Sequence, residues 1–336
     1  MGSRAGDHLL SVNGLGISLD RRESGASINF ISHAHTDHIA SARSGNILAS
    51  EETSVLLGAY KIKPRRLEEK KDWIRLLDAG HMLGSKQLFA SDYDSGIDYV
   101  YTGDFQMQKS AIAKQIQIRK ADVAIIDSTY PRPEYRFDDR DEVEQAMGIW
   151  IRQKLKRGIV LFGSYPMGKS QELISIINGF GITPVVTPRI AEISAMHNSL
   201  GTELDFLSRS MDIERTEELL SENFVGIVEA GKLREAAAAI SAAHSKRVYT
   251  ASATGFAKLY RMGTDVQFPL SDHADFWQSV DYLNAVSPSI VLTYGGSQEV
   301  FAANLAKAGF KAMPFGEFRQ DGLKTIEAHL HSAKRL

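Results

Sequence analysis

A change of hydrophobic period at about Asp138 constrains this chain more than any other feature. Up to that point the apolar residues come in short runs, LLSVNGLGISLD, SINFISHAH, NILAS, WIRLLDAG, QLFASDY and IDYVYTGDF, separated by Gly, Asp, Asn and Ser. That pattern predicts short strands and tight turns in stacked sheets. TSVLLGAYKI interrupts them as a short helix, and KPRRLEEKK as a solvated charged connector. From Asp138 the period lengthens. DEVEQAMGIWIRQKLKRG opens acidic, closes basic and spaces Val143, Met147, Ile151 and Leu155 four apart, which predicts a capped amphipathic helix. IVLFG, QELISIING, TPVV, EISAMH, IERTEELLSEN, FVGIVEA and KLREAAAAISAAH then alternate strand and helix as an α/β unit does. Beyond Arg247 short strands and helices return, ending in a basic helix, TIEAHLHSAKRL.

Length, charge and cysteine count narrow the chemistry. A chain of 336 residues suggests roughly two domains and buries about three quarters of its unfolded surface, so no disulfide or structural metal is needed to make a core. With 39 basic and 41 acidic side chains the net charge is −2. No broad electrostatic field argues for nucleic acid, so such an argument has to come from a site. The absence of cysteine excludes disulfides, thiolate zinc sites, iron–sulfur clusters and cysteine nucleophiles. A bound transition metal must then be held by His, Asp or Glu. MGSRAGDHLL shows no basic region followed by an apolar run, and nowhere do about 18 apolar residues follow one another. A cytoplasmic protein with no membrane partner is expected.

Three of the ten histidines fall within six residues, in Ser32-His33-Ala34-His35-Thr36-Asp37-His38, directly after the apolar run INFI. In an extended loop His33, His35 and Asp37 project to one side while His38 turns away, so two close metal positions can share one loop at a strand end. Imidazole and carboxylate suit zinc, manganese or iron. His81 in LLDAGHMLGS and Asp104 in YVYTGDF also sit where a loop leaves a predicted strand. Each alone reads as well as a turn residue. With the cluster they complete one set: His33, His35 and His81 on one ion, Asp37 and His38 on a second, and Asp104 bridging. Two ions about 4 Å apart activate water and clamp a phosphoryl oxygen.

These residues carry a resemblance. Asp20 in GISLD, the H-x-H-x-D-H loop, His81 and Asp104 match in order the first four motifs of the metallo-β-lactamase superfamily, whose fold is an α/β αββα sandwich. IIDSTY at 125–130, FGSYPMGKSQEL at 162–173 and LSDHADF at 270–276 resemble signatures of its β-CASP branch, a group of nucleic-acid nucleases in DNA repair and RNA processing. The resemblance runs from Asp20 to Phe315. It implies a discontinuous metallo-β-lactamase domain, 1–137 and 250–336, with a β-CASP cap inserted at 138–249. It implies zinc, one or two ions, with manganese as the alternative, and a single-stranded DNA or RNA substrate. Asp37 would serve both as ligand and in catalysis. Asp127 would hydrogen-bond His273, and the pair would protonate the leaving oxygen after attack by metal-activated water. Asp20 would hold the histidine loop rather than ligate. Where RNA-cleaving members carry a metal-binding histidine before glycine in the last motif, this chain has Leu292-Thr293-Tyr294-Gly295-Gly296. Tyr294 can donate a hydrogen bond but rarely ligates zinc. DNA-processing relatives also lack that histidine, so the change leans slightly toward DNA.

Gly163 to Ser170 also satisfies the phosphate-loop pattern G-x-x-x-x-G-K-[ST] between a predicted strand and helix. Pro166 removes one cradling amide, and no apolar strand ending in a magnesium-binding Asp follows. The resemblance gives another use: Ser164, Gly168 and Lys169, with amides at a helix start, would hold a phosphate of the nucleic-acid strand. A helix start with a solvated lysine is the plainer reading. A metal-dependent exonuclease is the leading expectation. A hydrolase of small esters, thioesters or lactones and a non-catalytic nucleic-acid-binding subunit stay open beside it.

Overall fold

The computed structural model describes residues 9–318 apart from 45 and 68–70. The described chain forms two compact units. One comprises Met1–Met107, Lys114–Arg136 and His273–Leu336, and the other Gln108–Ala113 and Phe137–Asp272.

In the first unit, β1 (Leu9–Val12) and β2 (Leu15–Leu19) form a hairpin. Asn13 and Gly14 close it with φ of 50° and 71°, the left-handed pair that a two-residue turn demands. β3 (Ile28–Phe30), β4 (Asn46–Leu48) and β5 (Arg65–Arg66) extend the sheet in parallel, so its order is the chain order. The short helix expected at TSVLLGAYKI is α1 (Glu51–Leu56), started by the Ser50 side chain accepting from the Thr53 amide. A second sheet begins with the meander β6 (Ile74–Asp78), β7 (Lys86–Asp92) and β8 (Ile97–Tyr101), then adds β9 (Val123–Asp127) parallel to β8.

The second unit follows. α2 (Arg140–Leu155) is capped by Asp139 and buries Val143, Met147 and Ile151, the face its spacing marked. β10 (Ile159–Ser164), α3 (Lys169–Gly179), β11 (Val185–Val186), α4 (Pro188–Ser199), α5 (Ile213–Ser221), β12 (Val225–Glu229) and α6 (Leu233–His244) continue the strand and helix alternation. β13 (Val248–Ala253) and β14 (Val266–Phe268) complete an all-parallel sheet of order β11-β12-β10-β13-β14. The expected boundary at 249/250 falls inside β13 and would split a strand that pairs along its length with β10. The unit instead runs on to Asp272 and takes in residues 108–113, whose Ile112 lies in its core.

The chain then returns to the first unit through α7 (Phe276–Val286), β15 (Ile290–Tyr294), α8 (Gln298–Lys307) and β16 (Ala312–Pro314). β15 lies between β9 and β16, giving the order β16-β15-β9-β8-β7-β6. The basic helix expected at 325–336 lies outside the described residues, as do positions 68–70 of the charged connector. One apolar core is shared by both sheets of this unit, Leu10, Leu19 and Phe30 meeting Leu88, Tyr101 and Leu292. The far face of the six-stranded sheet packs on α7 and α8 through Tyr282, Leu283, Phe301 and Leu305. Ile31, Ile47 and Leu57 fill a separate cluster at the five-stranded sheet. The chain is thus a mixed α/β protein with three sheets, each of which buries side chains that its alternation or apolar runs had marked. Among the described residues no helix is long and apolar enough to cross a membrane.

Topology places the functional side chains. β8, β9 and β15 are mutually parallel, and two antiparallel steps bring β6 back to the same direction. Their carboxyl ends therefore share one edge of the sheet, where ligand-binding loops of open sheets collect. His81 follows β6, Asp104 follows β8, Asp127 ends β9 and Tyr294 ends β15.

Candidate metal centre

The histidine loop leaves β3 and is pinned to that edge by the Lys86 amide, which donates to the Ser32 carbonyl at 2.9 Å. Gly103 makes the approach possible. Its φ is +54°, and a Cβ there would lie 2.5 Å from the Ser32 Cβ, so only glycine lets the Asp104 turn sit against the loop. One ligand atom from each of His33, His35, His81 and Asp104 falls within 4.8 Å of all the others. The imidazole rings of His33, His35 and His81 lie 4.6 to 4.9 Å apart, centre to centre.

The hydrogen-bond network fixes which nitrogen of His33 faces inward. Asp20 is buried, with φ of 56°. It accepts from the Ser32 amide at 2.6 Å, the Ser32 hydroxyl at 2.7 Å and the Tyr101 hydroxyl at 2.7 Å. Having donated to Asp20, the Ser32 oxygen accepts from His33 Nδ1 at 2.9 Å, which assigns the proton to Nδ1. Nε2 then carries a lone pair. It is buried without a hydrogen-bond partner and faces Asp104 Oδ2 at 3.4 Å. Burial, and then the neighbouring His38, hold the His33 imidazole well below its ordinary pKa. Asp104 is held well below the carboxylate range: burial opposes this, but His38, His273 and His33 outweigh it. A neutral imidazole lone pair, two further imidazoles and an ionised carboxylate converging on one point form a donor set for a divalent transition metal. The orphaned Nε2 is what such an ion satisfies.

The loop is not extended throughout, and this corrects the expected sidedness. Residues 36–38 turn, with the His38 amide donating to the His35 carbonyl at 3.1 Å. Asp37 is carried outward, its side chain 78% exposed, rather than inward beside His33 and His35. His38 is carried back instead. Its Nδ1 lies 3.0 Å from Asp20 Oδ2, and its Nε2 lies 3.4 Å from Asp104 and 3.6 Å from Asp37. Burial alone would lower its pKa, but Asp104 and Asp20 raise it well above the ordinary value. His38 Nε2 thus lies within 3.6 Å of both Asp37 and Asp104, the other two groups expected on a second ion.

Beside the cluster stand His273 and Asp127, the expected acid–base pair. His273 Nδ1 lies 2.9 Å from Asp127 Oδ2, and its Nε2 lies 3.7 Å from Asp104. The other Asp127 oxygen accepts from the Thr129 amide and hydroxyl at 3.0 and 2.8 Å. Gln106 Nε2 donates to the His273 carbonyl at 2.8 Å, and the Ala274 amide to the Phe105 carbonyl at 2.7 Å, so backbone and ring are both held.

No family model matches the chain. It is 28% identical over 305 residues to a protein of Opitutus terrae named "Probable DNA ligase", a match covering 87% of this chain and 29% of that one. It is 33% identical to an uncharacterised protein encoded in the lig 3′ region of Acidianus ambivalens, over 40% of this chain and 92% of the relative. It is 29% identical to the chicken (Gallus gallus) 5′ exonuclease Apollo, over 50% of this chain and 39% of Apollo. The chain belongs to the β-CASP branch of the metallo-β-lactamase superfamily. It spans less than a third of the length of the Opitutus relative and about two fifths of Apollo. A crystal structure of a protein of unknown function from Enterococcus faecalis shares its fold, with a TM-score of 0.53 at 13% identity, covering 81% of this chain and 76% of that one.

In this β-CASP chain Tyr294 is the hydrogen-bond donor its sequence suggested, whereas the phosphate site departs from what was expected. Tyr294 donates to the Leu19 carbonyl at 2.6 Å and packs edge-on against Tyr101 at 5.3 Å. Burial raises its hydroxyl pKa, so it stays a neutral donor that braces the strand preceding Asp20. The phosphate site expected at Ser164, Gly168 and Lys169 is closed. The Gly168, Lys169 and Ser170 amides donate to the Gln171 side chain, the Met167 carbonyl and the Tyr165 carbonyl. Ser164 is buried with its hydroxyl on the Tyr165 carbonyl. Lys169 is 5% exposed, and its ammonium bonds Glu172 at 2.6 Å and the Leu270 carbonyl at 3.3 Å. Arg140 bonds the other oxygen of Glu172 and, at 2.9 Å, Glu144. The lysine is a buried strut, neither a phosphate grip nor a solvated surface charge, and the same contacts remove the nucleotide-binding reading. Sequence reasoning missed Ser32, Tyr101 and Thr129. Only Ser32 carried a signal, as the hydroxyl directly before the first ligand.

Proposed function

We propose that this chain is a divalent-metal-dependent phosphodiesterase, an exonuclease acting on single-stranded nucleic acid in DNA repair. The observation that carries the reading is the convergence of His33, His35, His81 and Asp104 on one buried point, with the Asp127–His273 pair beside it. The name of the relative Apollo, a 5′ exonuclease, supports it. The two sheets of the first unit, with helices outside them, read as the superfamily's αββα sandwich, and the second unit reads as the β-CASP insertion.

His33, His35, His81 and Asp104 would hold the ion, with zinc favoured by the three imidazoles and manganese the alternative. When bound, such an ion polarises a phosphoryl oxygen and makes water nucleophilic near neutral pH. Asp20 and Ser32 keep His33 in the tautomer that presents Nε2. Asp127 orients His273 through Nδ1, so that Nε2 can pass a proton to the leaving oxygen. His38 and the exposed Asp37 flank the Asp104 side of the centre. There a second ion would find His38, Asp37 and Asp104, with no ligand from Tyr294, which is bound to Leu19.

The test is cleavage of matched single-stranded DNA and RNA, labelled separately at each end, with zinc, manganese or magnesium. Mononucleotides or a stepwise ladder, absent with Asp104→Ala, are expected. Metal-loaded protein that releases nothing from either polymer would abandon the reading.

A further inference from the structure

The second unit carries an exposed aromatic segment that the metal centre does not use. Residues 254–264, TGFAKLYRMGT, connect β13 to β14. Phe256, Leu259, Tyr260 and Met262 are 41, 44, 56 and 42% exposed. Four large apolar side chains are thus about two fifths or more exposed within seven residues of chain. Tyr165, 74% exposed, leaves β10 beside this segment. Gly163 pairs with Ser252, so two residues further on Tyr165 is level with Thr254, at the carboxyl edge of the parallel sheet.

The segment is braced rather than loose. The Gln267 side chain donates to the Ala257 and Tyr260 carbonyls, both at 2.8 Å, and accepts from the Met262 amide at 2.9 Å. Thr254 caps its first turn through the Phe256 amide, and Thr264 ties its end to Ser252. One side chain thus fixes three backbone groups across six residues, and the rings are held out in water with little ordering left to lose on binding. The segment holds two cations, Lys258 and Arg261, and no acid. Lys258 is bound to Asp138, whereas Arg261 directly follows the exposed ring of Tyr260. Separate rings interleaved with positive charge fit a polyanion with flat faces. Unpaired bases stack on aromatic side chains while arginine follows the phosphates.

From this we infer that the Phe256–Met262 segment, with Tyr165 beside it, is a stacking platform for unpaired bases of the nucleic-acid substrate, Tyr260 supplying a ring and Arg261 a phosphate contact. This rests on the nuclease reading for its ligand, but its test does not depend on turnover. Affinity of the metal-loaded protein for a cleavage-resistant phosphorothioate oligothymidylate of about 16 nucleotides is read by fluorescence anisotropy across a salt series. Tyr260→Ala is expected to weaken binding about tenfold and Tyr260→Phe to retain it. Arg261→Ala is expected to reduce the salt slope by about one. Unchanged affinity in Tyr260→Ala overturns the platform. So does an equal loss in Tyr260→Phe, or a shift in sedimentation without a shift in affinity, which would make the segment a protein contact. Turnover of ordinary oligonucleotide by the unaltered protein is measured alongside. Ring-dependent binding without turnover removes the nuclease reading and keeps the platform. Turnover with ring-independent binding does the reverse.

Discussion

The histidine loop after β3 and the glycine–lysine turn after β10 are both short, polar and rooted at a strand end, yet their polar atoms do opposite things. After β10 three amides of the turn donate to neighbouring acceptors and the Lys169 ammonium to Glu172. After β3 the outer bonds, Asp20 to Ser32 to His33, leave one inner lone pair facing an ionised carboxylate and two more imidazoles. A site is distinguished by what its network leaves unsatisfied, and by how many such groups meet. His197 shows the second condition. It too is buried, its Nδ1 donates to the Ile193 carbonyl at 2.9 Å and its Nε2 has no hydrogen-bond partner. Among the described residues no metal-binding group includes it, and burial simply pushes its pKa down to about 4.

The largest expected effect breaks the comparison on the metal side. Asp104→Ala removes the carboxylate that faces both the four-residue cluster and His273, and we expect both metal content and hydrolysis to fall to background. Elemental analysis beside the nuclease assay checks this, and retained metal with normal turnover would contradict the assignment. His273→Ala should lower kcat by about 10² to 10⁴ while metal content stays at that of the unaltered protein. A matching loss of metal would instead make the ring a ligand.

On the other side, Glu172→Ala leaves Lys169 and Arg140 buried without their shared carboxylate, an arrangement that costs about 3–5 kcal/mol. Urea denaturation reads it directly, and a change under about 1 kcal/mol would show that the strut is idle. His197 gives a pH dependence. Its folded pKa of about 4 lies below the usual 6.5, so the unfolded chain binds the proton first. The stability it protects is whole above about pH 6.5 and is lost as pH falls toward 4, about 3 kcal/mol in all. Denaturation midpoints over that range should fall less steeply in His197→Gln. The smallest effect sharpens the contrast between the two loops. Lys169→Met should leave the salt slope of nucleic-acid binding unchanged, where loss of a phosphate-gripping lysine would reduce it by about one.

What could be read from the sequence follows from how local each cause is. The proposed ligand residues were legible because His33 and His35 stand two apart in one histidine-rich loop and the others sit at strand ends, where period and turn chemistry already point. The helix face Val143, Met147 and Ile151 was legible for the same reason. The turn at residues 36–38 was not. It is closed by the His38 amide on the His35 carbonyl, and it changes the sidedness expected for His38. Nor was the burial of Lys169, which depends on Arg140 and Leu270, about 30 and 100 positions away. The boundary was misplaced because β13 and β14 are short strands like those outside the unit. Only their parallel pairing with β10 and with each other shows where they belong.

The order of the six-stranded sheet carries a consequence for synthesis. β9 pairs with β15, a partner made only after the whole second unit has been translated, so closing that loop belongs late on the folding path. His273 is the first residue after the inserted unit. A nascent chain that has reached Asp272 already contains every residue of the four-ligand cluster but lacks the imidazole that would serve the leaving group. It also lacks the strand against which Asp127 is aligned. Residue order alone therefore puts the four proposed ligands into the nascent chain before the imidazole and the strand that would complete the proposed site.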